Sequence, residues 1–292
     1  MSDRTQLTIL NSMAGQDFEQ ALDQHIAWGL KVLDLKDAIY DKTVDQLSPQ
    51  EAEQATREIE RRNLTVHTLS TGIFYDDLEQ GEDAFRARFE PALDRILQTA
   101  PIFQPKNVRL LSAKSSKRES FDNCTDYLND QHPWLIPMYR DAIERLSTAG
   151  FHVVIENEVR GAIFSHPQEI LDFFEALDCG NKALLTWDIS NLWEEGTFPS
   201  LNVYEQLKPL IGLVHVKGGR EDSESGGHRW ASRLEDATWP VVEIVRTAVR
   251  DGVSPVVCIN PSHGKRNPGY NGTLADYESD ILFLRQHIEE IE

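Results

Sequence analysis

Eight short, apolar, β-branched runs, each followed by a stretch with helical periodicity, are the feature that most restricts how this chain can fold. The strand candidates are Leu7–Asn11, Val32–Leu35, Leu64–Ser70, Val108–Ser112, His152–Glu156, Ala183–Asp188, Gly212–Val216 and Pro255–Asn260. Amphipathic stretches lie between them: Asp17–Trp28, Pro49–Arg62, Asp83–Leu97, Leu135–Ala149, Pro167–Leu177, Val203–Leu207, Pro240–Arg250 and Leu274–Glu289. In the first of these, Phe18, Leu22, His25 and Ile26 recur at helical spacing with acids and Gln between them. Ser48-Pro49, and Ser165 ahead of Pro167, each place a cap residue and an early Pro at a helix start. Gly29, Gly150, Gly180 and Gly252 fall where helices should end. Strict alternation of near-continuous apolar strands with helices implies a parallel sheet covered by helices. Eight such units predict closure into an α/β (β/α)8 barrel. A doubly wound open sheet is the rival, but no GxGxxG follows the first strand to support a nucleotide-binding version.

No composition break or Pro/Gly/Ser-rich linker divides the 292 residues, so residues 1–292 read as a single barrel domain. Met1 to Leu10 lacks the basic start and apolar stretch of a signal peptide, and no apolar run approaches the roughly 18 residues needed to span a bilayer. Cys124, Cys179 and Cys258 are odd in number and far apart, which suits neither a disulfide framework nor a CxxC zinc site. A cytoplasmic location is the expectation. The formal charge of −19 repels nucleic acid and anionic membrane, so neither is expected as a partner.

A barrel strand should stay apolar until its C-terminal rim, where such folds do their chemistry. Four late strands end in polar side chains: Glu156-Asn-Glu158, Asp188-Ile-Ser-Asn191, His215-Val-Lys217-Gly-Gly-Arg220 and Asn260-Pro-Ser-His263. Two carboxylates, an imidazole and an amide would therefore point into one cavity. A hard divalent ion such as Mn²⁺ or Mg²⁺ takes oxygen ligands and accepts imidazole. Such an ion can polarise a carbonyl and its adjacent hydroxyl, easing removal of the proton between them, with Glu156 or another nearby group as base. Blander readings stand beside this one. Asp188 can simply cap the segment after it, and His215 can be a core histidine with its partners satisfied.

On these motifs the chain resembles the xylose isomerase-like TIM barrel superfamily, in particular its sugar phosphate isomerase/epimerase branch. That branch includes D-tagatose 3-epimerase, hydroxypyruvate isomerase and inosose dehydratase types. The resemblance covers nearly the whole chain in element order, while its specific motifs lie between Phe151 and His263. It implies metal ligation by Glu156 in VVIEN, Asp188 in LTWDISN and His215 in LVHVKG, with Asn260 in the place of a final Glu. Because that Glu is both a ligand and one of two opposed catalytic carboxylates in the epimerases, Asn260 argues for weaker metal binding and against a two-base shuttle. Asn191 stands where epimerases often have a substrate-contacting His.

What remains is one-base chemistry, with Glu156 or Glu158 on one face and His263 or Lys217 supplying acid. It suits isomerisation, dehydration or β-elimination of a keto-sugar or cyclitol. A catalytically impaired barrel that binds a sugar-like ligand is the alternative. A repair enzyme of the endonuclease IV type is disfavoured by the acidic charge and the scarcity of rim histidines. Lys217, Arg220, His228 and Arg229, then His263, Lys265 and Arg266, gather where barrels often hold phosphate, or else are surface charges scattered on long loops; Lys217 and Arg220 are the substrate-binding candidates among them, and the resemblance adds Asn191. Trp187, Trp193, Trp230 and Tyr75 either line a sugar face or pack the core. Gly218-Gly219 and Gly226-Gly227 flank an acidic stretch with the composition of a lid. The expected partner is a small-molecule sugar or polyol; the sequence is compatible with a homo-oligomer and does not fix the oligomeric state.

Overall fold

The computed structural model describes residues 4–159, 161–221, 228–261, 266–267 and 269–291, with residues 228–230 described by backbone alone. Among them, eight parallel strands form one sheet: β1 (Gln6–Ile9), β2 (Val32–Leu35), β3 (Thr65–Ser70), β4 (Asn107–Leu111), β5 (His152–Glu156), β6 (Ala183–Asp188), β7 (Ile211–Val216) and β8 (Val256–Ile259). Each strand pairs with its sequence neighbour from β2 to β8, and β8 pairs with β1 in the register Gln6–Val256 to Ile9–Ile259. The expected barrel is therefore present. Beyond β7, a two-stranded ribbon joins Arg220–Glu221 to His228–Trp230.

The seam between β1 and β2 carries only one backbone bridge, Leu10 to Asp34. Side chains complete it. The buried Thr8 hydroxyl donates to the Val32 carbonyl at 2.7 Å, and Asn11 works as a surrogate strand residue. Its Oδ1 accepts the Lys36 N–H and its Nδ2 donates to the Asp37 carbonyl, both at 2.7 Å. A short helix, α1 (Asn11–Ala14), starts at that residue, where the sequence suggested more strand.

The outer layer contains α2 (Phe18–Ala27), α3 (Pro49–Arg61), α4 (Glu82–Phe103), α5 (Cys124–Gln131), α6 (Leu135–Thr148), α7 (Pro167–Leu177), α8 (Asn191–Glu194), α9 (Leu201–Leu207), α10 (Val241–Asp251) and α11 (Leu274–His287). Ser48 caps α3 in a reciprocal box with Glu51, as its sequence predicts. Ser165 does not cap α7; its N–H instead donates to Glu169 Oε2 at 2.8 Å. Helix α4 runs past Leu97 to Phe103, through Pro91 and Pro101, because it buries Phe85, Phe89, Leu93, Ile96 and Phe103 against the sheet. That burial outweighs the hydrogen bonds the prolines delete. Helix α5, capped by the Asn123 side chain, has no counterpart in the strand–helix reading. No helix among the described residues is long and apolar enough to cross a membrane, and the cysteines are free thiols.

One expectation fails instructively. The strands are not apolar on both faces. Their outer faces (Leu33, Leu35, Leu69, Val108, Leu110, Val153, Ile155, Leu185 and others) join the helices in one large core. Inside the barrel only a small plug is apolar, formed by Val32, Val154, Leu213 and Val256 with Leu184 against it. Above the plug the interior turns charged: Asp34, Arg109, Glu156, Asp188 and His215 are all 2% exposed or less.

Two outcomes follow. Asn11→Ala should cost about 1–3 kcal/mol in urea denaturation, because a part-buried N–H and a carbonyl lose their partner together. The second concerns Asp280 on α11, which is buried and accepts the Leu234 N–H at 2.7 Å. Burial, aided by nearby Asp276, pushes its carboxyl up to about 7 against the pull of that N–H. The folded state then holds a proton that the unfolded chain releases near 3.8, so stability falls as pH rises through this window. Asp280→Asn should match the parent near pH 4 and exceed it by ~3 kcal/mol above pH 7, read as thermal midpoints; equal pH profiles would contradict the assignment.

Candidate active site and metal centre

Strand alternation sends every second side chain into the barrel, and five strands contribute ionisable groups to one buried network. Glu156 ends β5. Its Oε2 accepts from Arg109 of β4 at 2.6 Å, and its Oε1 lies 3.1 Å from His215 Nδ1 of β7. The other imidazole nitrogen, Nε2, lies 3.3 Å from Asp34 Oδ2 of β2 across the barrel, and Ser70 of β3 donates to Asp34 Oδ1. Arg109 also donates to the Thr71 carbonyl at 3.1 Å. Cys258 of β8 stands beside Asp34 and His215 as a further grouping of donors.

Asp188 ends β6 and is held by its neighbours in the chain. Its Oδ1 accepts the Ser190 and Asn191 N–H groups, each at 3.2 Å, so it does cap the turn into α8. Its Oδ2 accepts from Lys217 Nζ at 2.9 Å and Asn260 Nδ2 at 3.1 Å. Asn157 pins the Asp188 backbone from both sides, at 2.8 and 3.0 Å. Asn191 is buried; it donates to the Asn157 carbonyl at 2.7 Å and accepts the Lys217 ammonium at 2.5 Å. Gly218 permits the chain at Ser232 to cross over Lys217, since a Cβ there would lie 2.0 Å from the Ser232 carbonyl oxygen.

The electrostatics follow from this packing. Burial would raise Glu156, but Arg109 and then His215 hold its carboxyl down at about 2. Burial would push the His215 imidazole down, yet Glu156 and Asp34 draw it well above the usual histidine range. Burial likewise opposes ionisation of Asp34, and the His215 hydrogen bond and charge win, leaving it lowered. Burial would discharge Lys217, and Asp188 more than reverses that. Asp188 itself is raised, chiefly by burial, with Lys217 pulling the other way. Half-buried Glu158, two residues past Glu156, is lifted to about 7 by burial and by the Glu156 charge. The Cys258 thiol is pushed up to about 12 by burial and Asp34.

One ligand atom from each of Glu156, Asp188 and His215 lies within 4.8 Å of the others. These donors fit a divalent cation. The protein ties back one atom of each: Glu156 Oε2 on Arg109, Asp188 Oδ1 on backbone N–H groups, and His215 Nε2 on Asp34. Glu156 Oε1 and His215 Nδ1 are left facing one another while Asp188 Oδ2 holds Lys217 and Asn260, and outer partners that tie back the remaining atoms are what orient metal ligands. Two oxygens and an imidazole suit a hard or borderline ion.

The structure thus brings Glu156, Asp188 and His215 together, with Asn260 against Asp188. Asn191 and Lys217, expected at the substrate, are 2% and 8% exposed and bound to one another. Arg220 stands half-exposed in the ribbon. His263 and Lys265, and the side chains of His228, Arg229 and Trp230, lie outside the described residues. Trp187 and Trp193 belong to the hydrophobic core, where Trp187 stacks on Tyr204. A cleft of about 930 Å³ opens elsewhere, between α2 and α11 beside Met13, Gln20, Leu274 and Tyr277, and carries none of these groups. Asp34 and Arg109 were missed by the sequence reading. Their signal was a lone charge inside an otherwise apolar strand, in VLDL and NVRLL.

No protein-family model matches the chain, and no curated protein matches it. Solved structures do. A xylose isomerase-like TIM barrel protein from Mycobacterium smegmatis, in complex with magnesium, superposes with a TM-score of 0.73 at 15% identity, covering 99% of this chain and 98% of that one. The probable 3-DHS dehydratase of petrobactin synthesis from Bacillus anthracis gives 0.69 at 14% identity, covering 97% and 98%. A D-psicose 3-epimerase, crystallised in the presence of D-fructose, gives 0.69 at 15%, covering 97% and 99%. The chain has the xylose isomerase-like TIM barrel fold.

Arg109→Met should lower stability at pH 7 by about 3–5 kcal/mol, because it leaves Glu156 and Asp34 buried beside one cation fewer. Adding Glu156→Gln to that variant should recover part of the loss, and a double-mutant cycle in urea measures it.

Proposed function

We propose that this barrel is an isomerase or lyase that removes the proton from a carbon beside a carbonyl in a sugar or related polyol. In this reading a divalent ion is held by Glu156, Asp188 and His215, with the Asn260 amide oxygen as a weak fourth ligand. The observation that carries it is the convergence of three donors, each with its second atom fixed by the surrounding chain. Solved structures of the same fold support it, since they include a magnesium complex, a probable dehydratase and an epimerase.

When bound, the ion supplies polarisation of the substrate carbonyl and its neighbouring hydroxyl. The protein's own groups do the rest. Glu156 was one candidate base, but both its oxygens are engaged, by Arg109 and His215. Glu158 is therefore the group that accepts the proton: it stands at the rim, half-buried, and its backbone is fixed by the Ser112 hydroxyl at 3.2 Å. His263, in the segment after β8, is the candidate acid on sequence grounds, and Arg220 the candidate for gripping an anionic substrate group. Asn260 cannot take a proton at neutral pH, so it does not serve as a second base. Delivery of that proton on the same face to the former carbonyl carbon gives isomerisation, and expulsion of the hydroxyl β to the carbonyl gives dehydration. Inversion at the same carbon would need delivery from the opposite face.

A second reading, a barrel that binds a sugar without turning it over, is favoured by one specific contact: Lys217 already neutralises Asp188. Deuterium exchange separates the two. Mn²⁺-loaded protein, incubated in D₂O with ketohexoses and cyclic polyol ketones, should exchange the hydrogen beside the carbonyl of at least one, followed by proton NMR. Glu158→Gln should slow that exchange at least ~100-fold while leaving Mn²⁺ affinity intact. Ligand binding without exchange would establish the second reading.

A further inference from the structure

The metal reading leaves one group unexplained, the Lys217 ammonium. It sits 2.9 Å from Asp188 Oδ2, the oxygen that the backbone caps leave free, and it is 8% exposed. Nor is it there by accident of a long side chain. Buried Asn191 turns its Oδ1 to the ammonium at 2.5 Å, and its own Nδ2 is fixed on the Asn157 carbonyl at 2.7 Å. The Lys217 carbonyl accepts from the Ser190 hydroxyl at 3.2 Å, and Gly218 is packed under the Ser232 carbonyl. The side chain is thus delivered to Asp188 from a clamped backbone. Asp188 Oδ2 has also drawn in the Asn260 amide hydrogen at 3.1 Å, so the oxygen already has a full complement of donors.

We propose that Lys217 is a tethered competitor for the divalent ion: its ammonium holds the Asp188 oxygen that the ion needs, and metal binds only by displacing it. This rests on the metal site of the preceding reading. Glu194 lies within electrostatic reach of the ammonium and gives it an acid to turn to once displaced. The arrangement makes the protein a weak, exchangeable metal binder, because the Lys217 ammonium and the Asn260 amide both occupy one oxygen of Asp188.

Manganese alone is the probe, with binding read by calorimetry and by loss of the free-ion EPR signal, neither of which depends on turnover. Lys217→Met should bind Mn²⁺ at least about tenfold more tightly than the parent, since a buried unit charge touching the ligand is removed. Its metal-free thermal midpoint should fall, with Asp188 left uncompensated, and Mn²⁺ should restore it by a larger shift than in the parent. Arg220→Met, which removes a half-exposed charge three residues further along the chain, is the control and should change affinity by less than about threefold. If Lys217→Met does not fold, Asn191→Ser, which frees the ammonium while keeping its charge, should also tighten binding, by a smaller factor. Parent-like or weaker affinity in the Lys217 variant, or equal tightening in the Arg220 control, overturns the competitor role and leaves the metal site standing. If neither parent nor variant takes up Mn²⁺, the metal site fails and the competitor role with it.

Discussion

Six ionisable side chains closed off from water inside a barrel must neutralise one another, and much else in this structure answers to that requirement. Asp34, Glu156 and Asp188 carry the negative charge; Arg109, His215 and Lys217 carry the positive. An isolated buried charge costs several kcal/mol, so each group is tolerable only because its partner is placed to within a hydrogen bond. Those partners come from β2, β4, β5, β6 and the end of β7. The network therefore constrains strand register around the ring, just as the ring sets the distances in the network. The seam between β1 and β2, closed by Thr8 and Asn11, matters for the same reason: it fixes Asp34 opposite His215.

The architecture was legible because helix and strand periodicities alternate cleanly, and three strand runs, Val32–Leu35, His152–Glu156 and Ala183–Asp188, fall where the sequence places them. Rim residues were legible for a related reason: a polar group ending an apolar strand has few places to go except the mouth of the barrel. The interior was harder. Asp34 and Arg109 went unread, since a single charge carries no period and their partners lie 181 and 47 residues away in the chain. Helix α4 outran its estimate because buried Phe side chains compensate two prolines, a tertiary effect that local preference does not register. Asn191 and Lys217 were read from the sequence as substrate contacts. Nothing in their spacing says that they bind one another and Asp188.

The network can balance its charge in two ways. With a proton on His215 and the Lys217 ammonium on Asp188, it is neutral as built. With a divalent ion among Glu156, Asp188 and His215, the imidazole proton and the ammonium are the two positive charges in surplus. Metal binding to such a site is an exchange of cations and is weaker for that reason. Asn260 pushes the same way, since a third carboxylate would favour the ion and an amide does not. The base in the proposed reaction is Glu158, whose carboxyl is outside the paired set and lifted toward neutrality by burial and by Glu156.

The central claim is that Glu156, Asp188 and His215 form one cation site. A crystal soaked in Mn²⁺ and measured for anomalous scattering at the manganese edge tests it most directly. The account predicts one anomalous peak bonded to Glu156 Oε1, Asp188 Oδ2 and His215 Nδ1, with Asp34 still on His215 Nε2 and the Lys217 ammonium moved off Asp188. A map at saturating Mn²⁺ with no peak there, and Lys217 still on Asp188, would contradict it.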